Sequence, residues 1–166
     1  MTEDWPVAEL DPVRRLRVLA ASVRFPVYVS EIVLPAPADQ VWAVASDLER
    51  ELPRCIGTLR SARITRAAGE RLELFATGTL GQRARFDVVL RPGWCLMRSR
   101  FVLGAMAAVP EAEGTRFAAL GGFRLPGARL AGPLASPLLT ILGDRALRTF
   151  AAHPALSADR SGRAGG

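Results

Sequence analysis

The sequence predicts a single α+β domain built on an antiparallel sheet. Three observations carry that prediction. A β-branched run, "VYVSEIVL" (Val27–Leu34), meets two prolines and passes into helical patterns. From about residue 58 to 123, strand-length segments alternate with glycine-bearing turns. A long apolar helical pattern then spans 134 to 153 and is closed by Pro154. A length of 166 residues suits one domain, and a 49% hydrophobic composition is enough to fill a core.

The first ten residues read as loose. Asp11-Pro12 then reads as an N-cap followed by proline at the first helical position. Val13, Leu16, Leu19, Ala20 and Val23 recur at helical spacing, with Arg14, Arg15 and Arg17 on the other side. Packing of this helix on the domain is the favoured reading. A lid, a dimer or partner contact and a membrane-surface helix are the alternatives. Residues 1–26 are taken as an N-terminal extension.

After Val27–Leu34, Pro35 and Pro37 cannot donate to a strand ladder, so the strand stops there. "PADQVWAVAS" reads as a helix with Pro37 near its start. "DLERELPRCIG" reads as a second short helix broken by Pro53. The strand segments that follow are "TLRSARITR", "ERLELFAT", "QRARFDVVL", "WCLMRSRFV", "AMAAV" and "TRFAALGGF". In "QRARFDVVL", Ala84, Phe86, Val88 and Leu90 alternate with Arg83, Arg85 and Asp87, so one face is apolar and the other wet. Together these make a meander of about six strands, to which Val27–Leu34 adds a seventh. The tail, 154–166, reads as disordered.

Several function classes are made improbable by composition. The net charge is +6, which on its own suggests nucleic acid. Yet all 22 basic residues are Arg and none is Lys, and only "RRLR" (Arg14–Arg17) is a cluster. That pattern points to coding bias in a GC-rich genome, and the protein is read as not binding nucleic acid. Cys55 and Cys95 are far apart and outside any CxxC spacing, and His153 is the lone histidine. Neither a zinc site nor a Ser-His-Asp triad is expected from that set, and no metal or cofactor is predicted. The acidic N-terminus "MTEDWPVAEL" and the lack of an eighteen-residue apolar run suggest a soluble, cytoplasmic protein without a transmembrane segment.

With the order of elements in view, "IVLPAPADQVWAVASDLERELP" and "AEGTRFAAL" resemble the START-like superfamily, also called SRPBCC or Bet v 1-like. The first stretch is similar to that family's first strand, Ala-Pro turn, Val-Trp helix and following Asp. The second is similar to its late Gly-Thr turn and strand. The members most resembled are bacterial polyketide cyclase/dehydrase-type proteins, over residues 27–153. The resemblance implies a helix-grip fold: a curved seven-stranded antiparallel sheet wrapped around the long C-terminal helix, with two short helices after the first strand. The helix at 12–24 lies outside that pattern. It also implies an apolar cavity between sheet and helix. Members include ligand carriers, lipid-transfer and quinone-binding proteins, and aromatase/cyclases.

The residues themselves agree with a cavity, since "AMAAV" and "FAALGG" offer little bulk to fill a curved sheet. Close approach of the C-terminal helix would use small residues equally well. Strand parity turns Cys95, Met97, Ser99 and Phe101 inward, with Ser99 as a polar anchor, and gives Tyr28 the inward parity of Ser30 and Ile32. Glu31 takes the outward parity. On the C-terminal helix, Leu134, Leu138, Ile141, Leu142, Ala146 and Phe150 share one broad side, opposite Thr140, Asp144 and Arg148. Arg145 and Thr149 fall within the apolar arc. A guanidinium there suits a ligand carboxylate or carbonyl, or else snorkels to a surface acid.

The candidate ligand contacts are therefore Phe86, Met97, Phe101, Phe117, Leu138, Leu142 and Thr149, with Arg145, Tyr28 and Ser99 as candidate catalytic groups. The expected function is binding of a polyketide-, lipid- or quinone-like molecule. Cyclisation or dehydration of a natural-product intermediate is the first alternative, and a non-catalytic interaction protein the second.

Overall fold

Alternation becomes strand pairing throughout the middle of the chain. The computed structural model describes residues 9–124 and 128–157. In order these form α1 (Pro12–Ser22), β1 (Val27–Leu34), α2 (Ala38–Ala45), α3 (Leu48–Cys55), β2 (Leu59–Ala68), β3 (Arg71–Gly78), β4 (Arg83–Arg91), β5 (Trp94–Arg98), β6 (Val102–Glu111), β7 (Gly114–Phe123) and α4 (Ala128–Ala151). A one-turn 3-10 helix, Pro154–Leu156, follows. The seven strands make one antiparallel sheet in the order β1-β7-β6-β5-β4-β3-β2. The sheet curves around α4, which is the helix-grip arrangement.

The two sequence stretches that carry the family resemblance meet in space. Leu34 pairs with Thr115 at the end of β1 and β7. The Thr115 hydroxyl, fully buried, donates to the Ala36 carbonyl at 2.7 Å. Gly114 has φ +138° and lies so close to the Leu34 carbonyl that a Cβ would come within 2.0 Å of that oxygen. Only glycine fits there. The Pro-Ala-Pro corner is thus clamped by the Gly-Thr turn, and Pro37 launches α2, whose Val41 and Ala45 are buried. Trp42 packs, half-buried, against the same core.

The extra N-terminal helix covers the back of the sheet. Asp11 caps it by accepting from the Arg14 N–H at 2.9 Å, and Pro12 occupies its first turn. Val13 and Leu16 are buried against Trp94, Leu103, Ala105, Ala107, Ala118 and Leu120. The guanidinium of Arg17 donates to both carboxylate oxygens of Glu31, at 2.6 and 2.7 Å. That pairing holds the Glu31 carboxyl below its ordinary range. The favoured sequence reading, a helix packed on the domain, is what the structure has. It also explains the small residues of β6 and β7. Ala105, Ala107 and Ala118 let α1 approach one face. Gly104, Met106, Ala119 and Gly121 face the cavity on the other.

Four details differ from the sequence reading. Pro53 does not break α3, which runs through it. In a two-turn helix a proline forfeits one backbone bond, and buried Leu48, Glu51 and Leu52 hold the turn together. "WCLMRSRFV" is two strands, because the chain reverses between Arg98 and Val102. Ser99 makes that turn: its hydroxyl accepts from the Val102 N–H at 3.0 Å. α4 begins at Ala128, six residues ahead of the expected start. The ordered chain also continues past Pro154, where Leu156 is 1% exposed and part of the core. Residues 1–8 and 158–166, at the two expected loose ends, lie outside the described residues.

Candidate functional site

The concave face of the sheet does not close on α4. Between them lies a cavity of about 670 Å³, within the usual range for small-molecule sites. Leu59, Leu74, Phe86, Met97, Met106 and Phe117 line it from the strands, and Leu139, Leu142, Ala146 and Phe150 from α4. Gly78, Ala76, Ala84, Gly104, Ala119 and Gly121 also line it. Their small side chains are why the space stays open. Ile56 and Phe123 both line the cavity and are exposed, which locates its mouth.

Tyr28 is set into this wall by two glycines. Its ring lies between α4 and β7, where a Cβ on Gly143 would fall 2.2 Å from the ring and one on Gly121 2.5 Å away. Gly143, a poor helix former inside α4, is a contact that the ring requires. Burial, with the charge of Asp144 adding to it, pushes the Tyr28 phenol upward. The hydroxyl therefore stays protonated at neutral pH and is a hydrogen-bond donor rather than a base. Asp144 is held next to it by Ser30, whose buried hydroxyl donates to Asp144 Oδ1 at 2.6 Å.

Arg145 and Thr149 reach the cavity wall one helical turn apart. Thr149 Oγ1 donates to the Arg145 carbonyl at 3.0 Å. Among the described residues, no carboxylate pairs with Arg145. Arg145 is itself exposed, and the buried charge beside the cavity, Glu51, is already satisfied. Glu51, 5% exposed, accepts from Nε and Nη2 of Arg54 at 2.9 and 2.7 Å. His153 Nε2 lies 3.5 Å from the other Glu51 oxygen, and His153 Nδ1 accepts from the Ala155 N–H. The Nε2 contact ties the end of α4 to α3, and the Nδ1 bond caps the 3-10 turn that follows. Burial pushes the Cys55 thiol up to about 11 and the Cys95 thiol up to about 12. Neither is a ready thiolate nucleophile.

The structure brings together around one cavity most of the residues singled out in the sequence: Tyr28, Phe86, Met97 and Phe117 on the sheet side, and Leu142, Arg145 and Thr149 on α4. Three stand elsewhere. Ser99 and Phe101 lie in the β5–β6 turn, so inward parity ends at Met97. Leu138 is 59% exposed and Ile141 60%. The buried line of α4 runs instead through Leu139, Gly143, Leu147 and Phe150, so the helix is rotated from the apolar arc read in the sequence. The reason is that α4 has two different neighbours. β1 takes Gly143 and Asp144, while the cavity takes Leu142, Arg145 and Thr149.

No protein-family model matches the chain, and no curated protein matches it. Solved structures do. TTHA0849 from Thermus thermophilus is 21% identical over 76% of this chain and 94% of its own, with a TM-score of 0.61. The Zhui aromatase/cyclase from Streptomyces sp. R1128 is 15% identical over 77% of this chain and 92% of its own, with a TM-score of 0.60. The fold shared with them is the helix-grip fold. The di-domain aromatase/cyclase StfQ of the steffimycin biosynthetic pathway shares it, at 12% identity and a TM-score of 0.59, over 76% of this chain and 50% of its own. In this helix-grip chain α1 packs on the outer face of the sheet, opposite the cavity.

Proposed function

We propose that this START-like protein binds a hydrophobic small molecule in the space between the sheet and α4. The carrying observation is the cavity of about 670 Å³ with a mostly apolar wall, whose polar side chains include Tyr28 and Arg145. An apolar ligand body gains by leaving water, on the order of 25 cal/mol for each Å² buried. A carbonyl or carboxylate on it would accept from the Tyr28 hydroxyl and the Arg145 guanidinium, which orients it. Native mass spectrometry of the expressed protein tests the reading. The expected result is a polyketide-, lipid- or quinone-like adduct. Unliganded protein after expression and after incubation with all three classes would count against it.

A cyclase or aromatase acting on a polyketide-like chain is the second reading. It is favoured by a proton donor and a cation on the same apolar wall, and by the aromatase/cyclases that share the fold. The protonated Tyr28 hydroxyl would donate to a carbonyl oxygen, and Arg145 would stabilise the enolate charge that develops there. The apolar wall would hold the chain folded, with its reacting carbons in contact. Under this reading Tyr28→Phe and Arg145→Ala each lower turnover by about 10²-fold or more, with an unchanged circular-dichroism spectrum. Full turnover in both variants would remove these residues from the mechanism.

A further inference from the structure

The two ends of the sheet differ sharply in chemistry. At the mouth end, Ile56, Leu80, Phe101 and Phe123 stand on the α3–β2 connection, the β3–β4 turn, the β5–β6 turn and the end of β7. They are 38%, 92%, 43% and 43% exposed. Backbone bonds tie these points into a rim: the Thr79 N–H donates to the Thr58 carbonyl at 3.0 Å, and the Arg124 N–H to the Phe101 carbonyl at 2.7 Å. Exposed Arg24, Arg60, Arg83, Arg100 and Arg124 surround them. None of the five is in an ion pair among the described residues. The segments 23–27, 56–60, 78–83, 99–102 and 123–124 contain no Asp or Glu. At the far end, Glu70, Glu111 and Glu113 flank the β2–β3 and β6–β7 turns, and Arg91 and Arg116 pair with Glu70 and Glu111.

Apolar tips inside a cationic ring match the boundary between lipid headgroups and acyl chains. The tips enter the hydrocarbon edge and the guanidinium groups meet phosphates. Arg100 already lies over the Phe101 ring, 5.2 Å from its centroid, so charge and apolar tip are presented together. The tips sit on separate connections and form no groove shaped for a peptide or helix, which favours a lipid surface over a protein partner. We propose that this rim docks on membrane surfaces containing anionic lipid. Docking would bring the cavity mouth, marked by Ile56 and Phe123, against the source of an apolar ligand.

Co-sedimentation of the full chain with vesicles tests this. Phosphatidylcholine vesicles are compared with vesicles of phosphatidylcholine and phosphatidylglycerol. Retention is expected only on the anionic vesicles and falls as salt is raised. Leu80→Glu/Phe101→Glu should lower retention at least about tenfold, and Arg100→Gln/Arg124→Gln by about fivefold for each arginine. Val18→Glu, at a residue 55% exposed on α1, should change nothing. Should the double variants unfold, Leu80→Glu alone decides, because that side chain is almost fully in solvent. No retention on anionic vesicles, or retention unaltered by Leu80→Glu, overturns the proposal. Capture of an acidic protein without vesicle retention overturns it as well. The readout does not depend on what fills the cavity, so a failed ligand search leaves it standing.

Discussion

Phe117→Ala is expected to lower the melting temperature by roughly 6–20 °C. Phe117 is 2% exposed and stacks on Phe150, with ring centroids 4.5 Å apart. The pair joins β7 to α4, and both residues line the cavity. Removing a buried phenyl group costs about 3–5 kcal/mol, and each kcal/mol shifts a domain of this size by about 2–4 °C. The upper half of that range is favoured, because the vacated space merges with an existing cavity that the sheet cannot collapse. Thermal unfolding by circular dichroism measures it. The same variant should admit a bulkier ligand, since its loss enlarges the cavity.

Gly143→Ala should destabilise the protein even though alanine is the better helix residue. Helix propensity alone predicts a gain of about 1 kcal/mol. The new methyl group would lie 2.2 Å from Tyr28 Cε2, and Gly121 blocks the other edge of the ring. Overpacking of this kind costs about 1–3 kcal/mol, so the contact outweighs the propensity. A double-mutant cycle separates the two effects. With Tyr28→Ala already present, Gly143→Ala should become neutral or stabilising. Stabilisation by Gly143→Ala alone would show that Tyr28 is not seated between the glycines. The variant should also weaken ligand binding, because a displaced ring moves a proposed polar anchor.

The fold was largely legible in the sequence, because its signals are local. The prolines at 35 and 37 end β1, glycine-bearing turns separate most of the strands, and Pro154 follows α4. The misreadings arose where no such mark exists. The β5–β6 turn, Ser99-Arg100-Phe101, contains neither Gly nor Pro, so strand parity ran through it and turned Ser99 and Phe101 inward. The face of α4 was misjudged for a different reason. Periodicity reports an apolar arc, but it cannot distribute that arc between a strand and an open cavity. Leu138 and Ile141 are apolar and exposed, while Asp144 is tied to Ser30. The glycine cage of Tyr28 joins positions 28, 121 and 143, and such long-range contacts leave no local pattern. Missing bulk in "AMAAV" and "FAALGG" fitted a cavity and close helix approach equally well, and the two strand parities divide these roles between them.

The family resemblance located the cavity, and the structure gives the physical reason it stays open. Small residues of one strand parity leave space toward α4, and those of the other parity let α1 close the back of the sheet. The back of β1, β6 and β7 is thereby covered, and the apolar front remains the surface available to a ligand.

Binding within the cavity is tested most directly by filling it. Ala146 lies on α4, half-buried, with its side of the helix on the cavity wall. Ala146→Trp would place an indole where the ligand body is proposed to lie. Native mass spectrometry of parent and variant, expressed and purified in parallel, should show a bound apolar molecule on the parent and none on the folded variant. Equal occupancy in the two proteins would contradict binding between the sheet and α4.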